Sequence, residues 1–171
     1  SYTCFFIESF VDELAKRADT DPLSYRMGML SGAPEVARCL ISVTTIGGWE
    51  GGVAEAAQGL ACHSMRGSHI ALMATATFGP NGLRVTQLVA AADCGRIVNP
   101  AIARQQIEGG LIFGLAAAVG ATTDYAGGLA EARKLGQLGL PRLSHCPEIT
   151  VELIDSDREP GGIGELAVPV V

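Results

Sequence analysis

The sequence predicts an α+β fold, with helices packed on a mixed or antiparallel sheet, residues 1–171 forming one domain or a part of a larger one. Three observations carry this. Helical periodicity is confined to the first 46 residues and to a stretch after Asn99. The middle is rich in Val, Thr, Ala, Ile and Leu and is broken by a turn. A single alternating segment stands near the end.

In chain order, residues 6–19 read as an amphipathic helix, with Phe6, Phe10, Leu14 and Ala18 recurring every four residues and Asp12, Glu13, Lys16 and Arg17 on other faces. Asp21-Pro22 is a cap followed by Pro at the first helical position, and Leu23, Met27 and Leu30 extend the helix it opens. Pro34 opens a third helix that stops before Gly47-Gly48, and residues 47–58, with four glycines, read as an exposed loop. Residues 59–78 and 83–93, separated by Gly79-Pro80-Asn81-Gly82, predict a β-hairpin. Its second strand ends in Leu88–Ala92, apolar on both faces, as in a fully buried strand. Asn99-Pro100 starts a helix to about residue 119, and the uncharged run 109–123 is expected to be buried. Residues 122–147 read as irregular. Glu148–Asp155 alternates as a half-exposed strand.

Composition narrows the function classes. Hydrophobic residues make up 48% and charged residues 18%, which suits a packed core rather than a disordered chain. The net charge of −6 and the lack of a basic cluster argue against nucleic acid as a partner. The longest uncharged run is too short for a membrane span. The five cysteines are spread out with no Cys-x-x-Cys, so no disulfide framework, zinc site or iron–sulfur cluster is expected, and no metal ligands are assigned. No signal peptide is visible, and a chain beginning at Ser1 is expected to be processed or a piece of a longer protein.

Two segments carry chemistry. In Pro160-Gly161-Gly162-Ile163-Gly164-Glu165, three glycines allow φ > 0 and close approach to a ligand, and Glu165 is the only charge between Gly161 and Val171. A carboxylate in apolar surroundings has its pKa raised, as a general base working near neutrality requires; an exposed turn whose Glu caps a neighbour is the alternative. In Asp93–Pro100 and Gln105–Gly110, a strand ends in a Gly turn and feeds a helix with adjacent glycines. Those cost roughly 1 kcal/mol each relative to Ala, so another backbone or a ligand should approach there. The Gln106 amide both donates and accepts, which suits a pterin or phosphate edge; helix packing with a solvated Gln106 is the alternative. His63, His69 and His145 show no ligand spacing. His63 and His69 could contact an anion, and surface or strand-end positions are the plainer reading.

Five segments, in order, resemble the large, molybdenum-binding subunit of molybdenum hydroxylases, the xanthine dehydrogenase–aldehyde oxidase superfamily. The nearest branch looks like the isoquinoline 1-oxidoreductase β-subunit and aldehyde dehydrogenase group. The segments are Glu8–Ala15, Asp21–Arg26, Asp93–Pro100, Gln106–Gly110 and Pro160–Glu165. The resemblance implies the C-terminal part of a molybdopterin-binding domain and hydroxylation of an N-heterocycle or oxidation of an aldehyde. It implies Glu165 as the base activating Mo–OH, and Gln106, Gly162 and Gly164 at a molybdenum–molybdopterin cofactor, in its cytosine dinucleotide form. [2Fe–2S] clusters on a partner iron–sulfur subunit, the remainder of the large subunit and a small-molecule substrate complete the expected partners. Self-association is a further expectation. Departures are Leu166 where the family often has Pro, an unfamiliar stretch at 124–146, and a length several times short of the family's. The isolated 171-residue chain is therefore expected to be inactive. A non-catalytic folding or subunit-interaction module is the competing reading, with an unrelated ligand-binding α+β domain third.

Overall fold

The computed structural model describes residues 2–51, 57–80 and 82–171. It contains helices α1 (Tyr2–Arg17), α2 (Pro22–Met29), α3 (Pro34–Gly47) and α4 (Pro100–Ala118) and strands β1 (Gln58–Met65), β2 (Ser68–Gly79), β3 (Gly82–Asp93) and β6 (Glu148–Leu153), with a two-residue hairpin of β4 (Tyr125–Ala126) and β5 (Leu129–Ala130). The main sheet runs β1-β2-β3-β6. β1, β2 and β3 are antiparallel in sequence, and β6 joins β3 in parallel, so the sheet is mixed.

The sheet is covered on both sides. Ile70, Leu72, Leu88, Ala90 and Ala92 face Ile107 and Leu111 of α4 and Leu166, Ala167 and Val170 of the C-terminal segment. Ala71, Met73, Val89 and Ala91 face Val36, Cys39, Leu40 and Val43 of α3. Successive side chains on a strand point to opposite faces, so two covered faces explain why Leu88–Ala92 is apolar throughout.

The predicted first strand is in fact two. Arg66 (φ 49°) and Gly67 (φ 79°) turn the chain between β1 and β2, positive at both central positions as a tight hairpin with right-handed twist requires. Arg tolerates that conformation poorly, which is why Arg-Gly is a weak turn signal in sequence. Helix α1 begins four residues earlier than expected and buries Cys4, Val11 and Ala15, leaving Phe6 and Phe10 exposed. The small residues let α1 lie close to β1 and α2, so the large ones face outward. Helix α4 is buried along one face only, and Phe113 is 72% exposed. The loop reading for 47–58 and the Gly79–Gly82 turn fall partly on residues 52–56 and 81, outside the described residues.

The cap predictions hold in detail. The Asp21 carboxylate accepts from the Ser24 N–H (2.8 Å) and the Trp49 Nε1–H (2.9 Å), and the Asn99 side chain accepts from the Ile102 N–H (3.1 Å). Buried Arg26 uses all five guanidinium N–H groups, on the Glu8 and Asp12 carboxylates and the Pro22, Glu8 and Leu60 carbonyls. The Glu8–Ala15 and Asp21–Arg26 segments thus tie α1, α2 and β1 together.

Candidate functional site

The loop that carries Glu165 is anchored by the end of β3. Asp93 is fully buried and accepts from Arg158 Nη2 (2.6 Å) and Arg38 Nη2 (2.9 Å). Beyond it, the Arg96 N–H donates to the Arg158 carbonyl (2.8 Å) and the Gly161 N–H to the Cys94 carbonyl (2.9 Å). Gly95 adopts φ +74°, and a Cβ there would lie 2.2 Å from the Glu159 carbonyl oxygen. Two segments widely separated in sequence, 93–96 and 158–162, are thereby locked together.

The glycines of the second segment act by close approach. None of Gly161, Gly162 and Gly164 has positive φ, contrary to the sequence expectation. A Cβ on Gly161 would lie 2.2 Å from Ser68 Oγ and within 3 Å of the Gly67 backbone. The Gly162 N–H donates to the Arg66 carbonyl (3.0 Å), and a Cβ on Gly162 would meet the Arg66 side chain at 3.2 Å. These two glycines seat the loop on the β1–β2 turn.

After Gly164 the chain passes across α4. A Cβ on Gly110 would lie 3.0 Å from Ala167 Cβ, and one on Gly114 would lie 2.6 Å from the Val168 carbonyl oxygen. The small residues of α4 therefore admit the C-terminal backbone, as the packing alternative held. Gly109 differs: nothing lies within 4 Å of where its Cβ would be.

A pocket of about 550 Å³ opens beside Gly109, lined by His63 and Met65 of β1, Gln105, Gln106, Gly109, Gly110 and Phe113 of α4, and Gly164, Glu165, Val168 and Pro169. The fold thus brings Gln106, Gly164 and Glu165 to one cavity. Gly162 is not among the lining residues. Glu165 is exposed, so the apolar enclosure expected around it is not supplied by the described residues. Leu166, next to it, is fully buried in the core, which accounts for an apolar residue there. Gln105, His63, Met65 and Phe113 were not predicted as pocket residues. The repeat of Gln at 105 and 106 and the two-residue spacing of His63 and Met65 on one strand face were the available signals. His145 lies elsewhere, in a cavity of about 750 Å³ with Arg84 and Arg142. Among the described residues no cluster of three or more His, Cys, Asp or Glu side chains is arranged to hold a metal ion, and no helix is long and apolar enough to cross a membrane.

A family model for a molybdopterin cofactor-binding domain matches residues 81–147. The chain is 31% identical over 170 residues to the isoquinoline 1-oxidoreductase subunit beta of Brevundimonas diminuta, covering 96% of this chain and 22% of that protein. It is 26% identical over 193 residues to the membrane-bound aldehyde dehydrogenase (pyrroloquinoline-quinone) of Gluconacetobacter polyoxogenes, covering 99% and 25%. The crystal structure of quinoline 2-oxidoreductase from Pseudomonas putida 86 is similar in fold, with a TM-score of 0.55 at 23% identity over 60% of this chain and 14% of that one. The chain therefore spans about a quarter of the length of these curated relatives. The α+β fold and the resemblance to the molybdenum hydroxylase large subunit are upheld by these matches.

Proposed function

We propose, from the premise that this chain is molybdopterin-binding material of the molybdenum hydroxylase large subunit, that it forms part of a molybdenum-dependent oxidoreductase. The enzyme hydroxylates an N-heterocycle or oxidises an aldehyde. The observation that carries the reading is the convergence of Glu165, Gln106 and Gly164 on one cavity beside the open wall at Gly109. We assign that wall to a pterin. Gln105 and Gln106 are both exposed, as the solvated alternative expected, and each amide can both donate and accept. The missing Cβ at Gly109 leaves room that internal packing does not use.

In this account Gln106, with Gln105 beside it, holds the cofactor's hydrogen-bonding edge, and Gly109 and Gly164 let it approach. When bound, the molybdenum cofactor supplies the two-electron redox chemistry. The chain's own contribution is Glu165. One of its carboxylate oxygens accepts the proton from the hydroxyl whose oxygen is to join an electron-poor carbon, a general-base role typically contributing 10²–10⁴-fold. Phe113 and Met65 supply an apolar wall for a flat substrate. This chain leaves Glu165 exposed, and the remainder of the subunit and the bound ligands would enclose it. A partner iron–sulfur subunit would carry [2Fe–2S] clusters to accept the electrons, and the cofactor would be the cytosine dinucleotide form; the name of the relative, a subunit beta, supports a multi-subunit assembly.

The test is Glu165→Gln in the complete enzyme. Turnover should fall at least about a hundredfold with molybdenum content unchanged. Undiminished turnover would show that Glu165 is not the base and would favour the non-catalytic module, the reading its exposure also suits.

A further inference from the structure

One wall of the Glu165 cavity is strand β1, and it presents a histidine. Ala61 and Met65 of β1 pack on the α4 side of the sheet, whereas Leu60 and Cys62 pack on the α3 side. Alternation along a strand places His63 with Ala61 and Met65, and it lines the same cavity as Glu165 and Gln106. The other histidines engage Nδ1 within the chain: His69 with the Ser64 hydroxyl at 2.8 Å, and His145 as acceptor from the Arg142 N–H at 3.5 Å. Among the described residues the His63 ring makes no such bond. Burial pushes its imidazole below the ordinary value, with Glu8 opposing. In its neutral form the ring offers one N–H donor and one acceptor nitrogen. No Lys or Arg lines the cavity among the described residues.

We propose that His63 is a substrate-binding residue of this cavity, donating a hydrogen bond to the ring nitrogen or carbonyl oxygen adjacent to the carbon under attack. The inference rests on the oxidoreductase reading above. When an oxygen nucleophile adds to an electron-poor carbon, negative charge develops on the neighbouring heteroatom. A fixed donor there is stronger in the transition state than in the ground state. Glu165 removes a proton from the nucleophile while His63, from the β1 wall, stabilises the heteroatom, so the two groups divide the work.

The test uses the complete enzyme with its co-purifying subunits, with isoquinoline and benzaldehyde as probes. His63→Ala should lower kcat by roughly a hundredfold, the loss seen when one preorganised donor is removed, with molybdenum content unchanged. His63→Gln, which keeps an N–H donor, should recover about a tenfold part of that loss. His69→Ala, on the neighbouring strand and outside the cavity, should turn over as the unmodified enzyme does. In enzyme already slowed by Glu165→Gln, adding His63→Ala should weaken equilibrium binding of isoquinoline about fivefold, the net worth of one hydrogen bond. A fully loaded His63→Ala enzyme with unaltered kcat and unaltered isoquinoline affinity overturns the assignment. Failure of the underlying reading shows separately, as an unmodified complex without molybdenum, and that result removes the His63 assignment as well.

Discussion

Asp93, with no exposed surface, holds its charge between Arg158 and Arg38 and accepts a further hydrogen bond from the Gly95 N–H (3.2 Å). Burial alone would raise its pKa, but the Arg158 and Gly95 hydrogen bonds and the two guanidinium charges outweigh it and hold the carboxyl below its ordinary value. A carboxyl depressed on folding stabilises the fold fully above its unfolded pKa, about 3.9. That contribution is lost as pH falls through the lower folded value. Asp93→Asn should therefore cost about 3 kcal/mol in urea unfolding near neutral pH, because it leaves Arg158 without its buried partner. The variant should also show a shallower loss of stability below about pH 4 than the parent. At this scale the sequence singled out Glu165, a lone charge in a glycine-rich loop, and Gln106, an amide beside helix glycines, and the fold brings both to one cavity. His63 was read as a surface or strand-end position, because a single histidine in a strand shows its face only once the register is known.

Helix α4 carries a packed glycine and an open one along one element. Gly114→Ala would drive a Cβ against the Val168 carbonyl oxygen, and overpacking of this kind costs typically 1–3 kcal/mol. Thermal unfolding should show that loss, together with disorder of the segment bearing Glu165. Gly109→Ala meets nothing within 4 Å and should stabilise the helix by up to about 1 kcal/mol. If Gly109 leaves room for the cofactor, the same substitution should reduce molybdenum occupancy in the complete enzyme. A stabilised variant with full molybdenum content would show that the open wall is unused. Capped elements were read well because Asp21-Pro22 and Asn99-Pro100 state their helix starts locally. The β1–β2 boundary was missed because Arg66 adopts a left-handed conformation that its residue type disfavours. The facing of α1 was missed because Phe6 and Phe10 point away from the described core.

Among the described residues, several large apolar side chains stand exposed. Phe5, Phe6, Ile7 and Phe10 are all more than half exposed on α1, and Phe113 stands open at the cavity. Exposed patches of this kind mark interaction surfaces. With the chain spanning about a quarter of its curated relatives' length, the remainder of a large subunit is the covering we propose. The isolated 171-residue polypeptide should then neither bind molybdopterin tightly nor turn over, and reconstituted activity in it would contradict that. An α+β fold with helices packed on a mixed or antiparallel sheet followed from pattern, because each layer's burial imprints a period on its own residues; the parallel pairing of β6 and the cover on both faces are seen only in the structure. The cavity did not follow from pattern, because its walls come from β1, α4 and the C-terminal segment, whose meeting depends on the Asp93 ion pairs and the Gly161 contact. The most direct test of the account is molybdenum per chain, by elemental analysis of the protein purified from its native host with its co-purifying subunits. Near-stoichiometric molybdenum is the predicted result; an intact native complex without molybdenum would contradict the oxidoreductase assignment.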